Sequence, residues 1–247
     1  MTLNYKIEGY GPPLLLVHGL GVTFSIWKEL VPRLSPYYKL ILVELPGNGA
    51  SPVADLGLPY YAACAAGLEA LHQDLGIECW DMLCYSAGAW AGQAALARDP
   101  QQTRRVVFLC PALLNPGVSL GLRLLGGLVG LFPSLAGLLL SGWRLGRLVR
   151  LLGFNNHPHP YALEWQDELQ SQPVSTLVRM LLELPGGGRA PFTLPGLPTL
   201  FIWGRQDLIA RHPRPLAARD RLIDASHSAP QLAAAQVAEL VLAFLDH

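Results

Sequence analysis

The stretch Asp81-Met82-Leu83-Cys84-Tyr85-Ser86-Ala87-Gly88-Ala89-Trp90 decides the fold. Its first half is an apolar run with strand character, its second half suits a helix, and a serine stands at the join. A serine hydroxyl is a weak nucleophile that needs a base within hydrogen-bond reach and donors for the oxyanion it creates. A sharp strand-to-helix turn meets part of that need. It lifts the hydroxyl above the sheet and exposes the N–H of the next residue, Ala87, at a helix N-terminus. Such a turn closes where small residues lie two places before and after the serine, and Cys84 and Gly88 hold those places. Ser86 is therefore a candidate nucleophile, on a turn that Cys84 is expected to loosen.

Strand and helix signals alternate on both sides of this stretch. Leu3 to Glu8 alternates in polarity and reads as an edge strand. Leu14 to Val17 is a continuous apolar run, the mark of a strand buried on both faces, and it ends in the glycine-rich loop His18-Gly19-Leu20-Gly21. Ser25 can cap a helix running to about Leu34, Lys39 to Glu44 is the next strand, and Tyr60 to Leu75 has helical periodicity. Cys79 to Tyr85 is the strand before the nucleophile, Ala87 to Arg98 the helix after it, and Arg104 to Cys110 a further strand. The rhythm resumes at Pro198 to Gly204, continues with Arg221 to Ile223, and closes with an amphipathic helix from Gln231 to Leu245. This pattern implies an α/β fold with a mostly parallel sheet between helices. The core is expected at residues 1–111 and 196–247, with a helical insertion at 112–195 after the strand ending near Cys110.

Composition narrows the function classes. Hydrophobic residues make up 51% of the 247-residue chain and charged ones 15%, against roughly 25% charged in an average soluble domain. The net charge is zero, which leaves no electrostatic case for a nucleic-acid partner or an acidic membrane surface. Residues 1–10 lack the basic and apolar regions of a secretory signal, so a cytoplasmic location is expected. Cys64, Cys79, Cys84 and Cys110 fit no zinc spacing and are expected as free, mostly buried thiols.

Two more residues fall at strand ends, where parallel α/β sheets place their ligand sites. Asp207 follows Trp203-Gly204-Arg205-Gln206, and His227 lies in Asp224-Ala225-Ser226-His227-Ser228-Ala229-Pro230. The order Ser, Asp, His, together with the glycine-rich loop, resembles the α/β-hydrolase fold family. His18-Gly19-Leu20-Gly21 looks like that family's oxyanion loop. Glu44-Leu45-Pro46-Gly47-Asn48-Gly49-Ala50-Ser51 is similar to its D-x-P-G-x-G-x-S turn. Glu44 and Cys84 depart from the family pattern, which has aspartate and glycine there, and the N-terminal hairpin looks shortened.

The resemblance implies a serine esterase or lipase-like hydrolase. Ser86 would be the nucleophile, His227 the general base and acid, and Asp207 the residue that holds the imidazole. The N–H groups of Leu20 and Ala87 would form the oxyanion hole, and Tyr85 and Leu20 would line the substrate pocket. This chemistry calls for no metal and no cofactor. His18 is expected to fix its loop structurally, His212 and Asp224 to be surface or turn residues, and His157 and His159 to sit in a loop rather than a metal site.

In the family such an insertion is a lid over the nucleophile. Here Leu124 to Leu140 is free of charge for its whole length. Pro133 and four glycines argue against a membrane-spanning helix. A lid packing leucines over the site, or a surface that touches lipid weakly with Arg144, Arg147 and Arg150 at headgroup level, both point to a hydrophobic acyl or aryl substrate. Carboxylic esters lead, with thioesters and monoacylglycerols beside them. A C–C bond hydrolase, a cofactor-free haloperoxidase and a ligand-sensing binding protein of the same fold are the alternatives, and the oligomeric state stays open.

Overall fold

A computed structural model of the chain describes residues 2–53, 57–112, 121, 124, 127, 128, 131, 142–184, 196–210 and 212–246. Seven strands form one sheet: β1 (Tyr5–Glu8), β2 (Pro13–Val17), β3 (Lys39–Val43), β4 (Trp80–Tyr85), β5 (Thr103–Leu109), β6 (Thr199–Gly204) and β7 (Asp220–Ile223). The order across the sheet is β1-β3-β2-β4-β5-β6-β7. Of the seven, only β1 runs antiparallel, paired along the outer edge of β3, so a single edge strand that does not pair with β2 stands where the sequence suggests a shortened hairpin. The chain winds one way from β2 to β3 and the other way from β4 onward, so the sheet reverses direction between β2 and β4. A crevice opens at the C-terminal ends of two strands that diverge in this way, because their following connections leave to opposite sides.

The continuous apolar runs of the inner strands are explained by burial on both faces. All six residues of β4 are buried. Met82 and Cys84 pack on one side with Cys64 and Leu68 of α2 (Tyr60–Asp74) and with Ala91 of α3 (Gly88–Arg98). Leu83 and Tyr85 point to the other side, where Ile26 and Trp27 meet Val237 and Val241 of the C-terminal helix. The polar exception in the strand, Asp81, is matched by Arg104 on β5 at 2.9 Å.

Two expected helices are broken. The segment from Ser25 to Leu34 is a 3-10 turn at Phe24–Trp27, capped by the Thr23 side chain rather than by Ser25, followed by the single turn α1 (Val31–Leu34). Pro32 explains the break, since it has no N–H to donate to the preceding turn and its ring crowds the carbonyl there. The closing helix is likewise split, into Ala229–Leu232 and Ala234–Leu245, with Ala233 off helical geometry between them.

Within the insertion, three helices are described: α4 (Gly142–Phe154), α5 (Pro160–Ser171) and α6 (Val174–Leu182). Helices α4 and α5 share a small core of Val149, Phe154 and Ala162 with Tyr161, Trp165 and Leu169. Helix α6 rests on the main body, where Thr176 fills the space beside Gly47 and the Met180 carbonyl accepts from the Tyr61 hydroxyl at 3.1 Å. Most of the charge-free stretch lies outside the described residues. Of its leucines, Leu124, Leu128 and Leu131 are described and are 60%, 50% and 75% exposed. Among the described residues no helix is long and apolar enough to cross a membrane.

Both departures from the family pattern have a structural counterpart. The buried Glu44 carboxylate accepts from the Ala50 N–H at 2.7 Å and from the Asn4 amide at 2.8 Å. It thereby closes the Pro46–Ser51 turn against β1. Cys84 points into α3, at Gly92, where a Cβ would lie only 2.5 Å from its sulfur. The thiol is accommodated by the missing side chain one turn into the helix, and the turn at Ser86 need not open. Gly92→Ala is therefore expected to cost about 1–3 kcal/mol through overpacking. Adding Cys84→Ala leaves a 3.4 Å contact and should recover much of the loss in urea denaturation. A Gly92→Ala protein as stable as the wild type would refute this account of Cys84.

Candidate active site

Ser86 has φ +51°, a left-handed conformation that costs a non-glycine residue on the order of 1 kcal/mol or more and persists only where surroundings enforce it. Three backbone bonds enforce it here. Its N–H donates to the Leu109 carbonyl at 3.0 Å, and its carbonyl accepts from Ala89 at 3.1 Å and from Ala112 at 3.0 Å. The first ties the turn to the end of β5, the second starts α3, and the third holds the chain just after β5. The strand-to-helix turn thus exists where the sequence placed it.

His227 Nε2 lies 2.8 Å from Ser86 Oγ, and His227 Nδ1 lies 2.7 Å from Asp207 Oδ2. All three residues are buried. With the acidic oxygen at Nδ1, that nitrogen carries the proton, which leaves the Nε2 lone pair to accept from the serine hydroxyl. Asp207 is itself held by the Ile209 and Ala210 N–H groups, both 2.8 Å from its other oxygen. The structure therefore brings the three sequence-predicted residues into one chain of hydrogen bonds.

The glycine-rich loop adjoins the serine. A Cβ on Gly19 would lie 2.9 Å from the Cβ of Ser86, and one on Gly88 would lie 2.3 Å from the His18 carbonyl. These glycines permit the close approach. Among the described residues, neither the Leu20 N–H nor the Ala87 N–H finds an acceptor within the chain.

His18 is fully buried, and burial pushes its pKa down to about 4. One ring nitrogen faces the Gly19 carbonyl at 2.8 Å and the other accepts from the Leu45 N–H at 2.9 Å. That pattern demands a neutral ring protonated at Nδ1, and it staples the loop to the end of β3. Tyr85, expected in the substrate pocket, is the last residue of β4. Its ring is buried, packs edge-on to Trp27 and lies beneath Gly19, while its hydroxyl donates to the His227 carbonyl at 2.9 Å. It braces two loops of the site from below.

Sequence reasoning missed what holds the histidine loop. The hydroxyls of Ser226 and Ser228 each lie 2.8 Å from the Gly153 carbonyl, and the Ser228 N–H lies 3.2 Å from it. The residues flanking His227 are thus anchored on the last turn of α4. The pattern Ser-His-Ser was the available signal, although nothing in it names the acceptor.

Cys110, at φ +43°, also belongs to the site's surroundings. Its sulfur and ligand atoms of Asp207 and His227 lie within 4.8 Å of one another. Burial, reinforced by the Asp207 charge, pushes the thiol pKa well up. A cation there would have to displace that proton and break the Asp207–His227 bond, so this trio is better suited to hydrogen bonding than to metal binding. His159 caps α5 by accepting from the Tyr161 N–H at 3.2 Å, and Asn155 and Asn156 adopt the left-handed conformation that ends α4. Those residues form a helix–helix turn. His212 and Asp224 lie in exposed contacts with the Pro213 carbonyl and the Gln206 amide.

A parallel sheet with a serine on this turn, a histidine and an aspartate after later strands, and a glycine-rich loop after β2 define a hydrolase class. The chain belongs to the alpha/beta hydrolase family, whose model matches residues 14–240. Among curated proteins it is similar to pimeloyl-[acyl-carrier protein] methyl ester esterases. The one from Legionella pneumophila (strain Lens) is 44% identical over 55 residues, covering 22% of this chain and 23% of the relative. The one from Aeromonas hydrophila is 34% identical over 100 residues, covering 39% and 37%. These matches span well under half the length of either relative. Among solved structures, the enol-lactonase from Burkholderia xenovorans LB400 superimposes with a TM-score of 0.77 at 21% identity, covering 99% of this chain and 96% of that one, a likeness of fold.

The state of His18 has a consequence for stability. An unfolded chain takes up a proton on this ring near pH 6.5, whereas the folded chain resists until about 4. Between those values the unfolded state holds more protons, so stability falls as pH falls. The full effect is on the order of 3 kcal/mol and is complete below about pH 4. Urea midpoints from pH 7.5 to 4 should show that His18→Asn removes a dependence of up to about one proton from this window. Equal slopes in the two proteins would refute it.

Proposed function

We propose that the protein is a cofactor-independent serine esterase acting on small alkyl esters of apolar acyl chains. The observation that carries this reading is the buried Ser86–His227–Asp207 chain at 2.8 and 2.7 Å, with the serine at φ +51°.

In this reading Ser86 Oγ attacks the ester carbonyl carbon while its proton passes to His227 Nε2. The carbonyl electrons move onto oxygen, and the N–H groups of Leu20 and Ala87 stabilise that charge, each by about 3 kcal/mol. The bond to the alcohol breaks as His227 returns the proton to the leaving oxygen, which yields an acyl-enzyme. Water then attacks the acyl carbon, His227 accepts its proton and returns it to Ser86, and the acid departs. Asp207 stabilises the imidazolium in both halves. The apolar acyl preference is supported by the leucine-rich insertion, and the small alcohol by the names of the curated relatives, which are methyl ester esterases. The insertion serves here as the lid that shapes the acyl pocket.

A fluorophosphonate probe should label the wild type once per chain and leave Ser86→Ala unlabelled; a folded wild type that takes no label would sink the proposal. Asp207→Asn places an amide N–H against His227 Nδ1–H and forces the wrong tautomer. It should keep the fold and lose about 10³-fold or more in kcat. With nitrophenyl esters, kcat/KM should rise from acetate to hexanoate, and a preference for acetate would overturn the apolar-acyl part of the reading.

A further inference from the structure

We infer that Glu168, on α5 of the insertion, is a positioning residue for the oxyanion loop. This inference rests on the esterase reading and adds to it a residue far from the reacting atoms in sequence.

The loop from His18 to Thr23 contains two glycines, and Gly21 has φ +75°. Glycine confers freedom as well as close approach, so the backbone alone does not determine where the Leu20 N–H points. At its start the loop is held by the His18 ring and by Tyr85 beneath Gly19. Its far end is held by Glu168. One carboxylate oxygen accepts from the Thr23 N–H at 3.0 Å. The other accepts from the Thr23 hydroxyl at 3.1 Å and from the Ser25 hydroxyl in a short contact. The neighbouring Leu169 side chain fills the space beside Gly21, where a Cβ would lie 2.3 Å from its Cδ1.

All three partners donate to Glu168, of which the Thr23 N–H can do nothing else, and a carboxylate accepts from all of them at once and makes the strongest such bonds. Helix α5 is moored on the same side of the molecule. Tyr161 donates to Glu29 at 2.6 Å, Lys28 pairs with Glu164 at 2.5 Å, and the Trp165 indole donates to Gln231 at 2.9 Å. Glu168 therefore transmits the position of a rigid, anchored helix to the loop that carries one of the two oxyanion donors. Small displacements of such a donor weaken binding of the developing charge while leaving ground-state binding nearly intact.

The test uses nitrophenyl hexanoate hydrolysis, with kcat normalised to active sites counted by fluorophosphonate labelling at end point. Glu168→Ala should lower kcat per labelled site about 10- to 100-fold with KM within about threefold. Affinity for a trifluoromethyl ketone, whose adduct with Ser86 bears the oxyanion, should fall by a similar factor. Glu168→Gln keeps the shape and the bond from the Thr23 N–H, but turns an NH₂ to the two hydroxyls and loses the charge; it should show a smaller loss of the same kind, and it carries the test if Glu168→Ala does not fold. Unchanged kcat per labelled site, or unchanged ketone affinity, overturns the role of Glu168. A wild type without labelling or turnover refutes the esterase reading itself, which is a separate result.

Discussion

The contact on which the site depends is the approach of Gly88, in the first turn of α3, to the ends of β2. Any side chain there would collide with the carbonyls of His18 and Val17, at 2.3 and 2.7 Å from a Cβ. Two strands already in register, with Val17 opposite Cys84, are thus followed by a helix and a loop that touch. Because the sheet reverses its winding between these strands, the connections that follow them leave to opposite sides of the gap above them. The serine, the N–H after it and the glycine-rich loop all gather in that gap. The later strands then need only bring Asp207 and His227 in from one side, and β6 and β7 do so in consecutive loops.

Much of this was legible in the sequence for a physical reason. Buried parallel strands require unbroken apolar runs, turns require glycine and proline, and the polar residues left at strand ends stand out against both. Ser86, Asp207 and His227 could be read in that way, as could the boundaries of β2, β4 and β6. What could not be read were contacts between a side chain and a distant main chain. The Tyr85 hydroxyl on the His227 carbonyl, and the paired serines on the Gly153 carbonyl, join residues that are 142 and about 75 positions apart. A carbonyl has no signature in the sequence, so such an acceptor is invisible there. The position of Tyr85 beside Ser86 suggests the pocket, and the alternation of the strand turns its ring to the opposite core from Cys84. Cys84 looked like a defect for a related reason: its compensation, Gly92, is a missing group.

Electrostatically, burial keeps two groups beside the site neutral. His18 and Cys110 are both buried, and both are held in their uncharged forms by desolvation. Asp207 keeps its backbone donors and its imidazole partner.

The anchoring of the histidine loop on Gly153 bears on how this molecule could diverge or be rebuilt. A bond to a main-chain carbonyl is indifferent to the identity of the residue that offers it. The local restriction on position 153 comes instead from Trp165, whose ring would lie 2.8 Å from an added Cβ. The insertion could therefore exchange most of its side chains, and with them the shape of whatever it covers, while still supporting the His227 loop. A transplanted insertion from another protein would fail for a different reason. It would have to end its corresponding helix with a carbonyl at the same point in space, a requirement of backbone geometry that no choice of surface residues can supply.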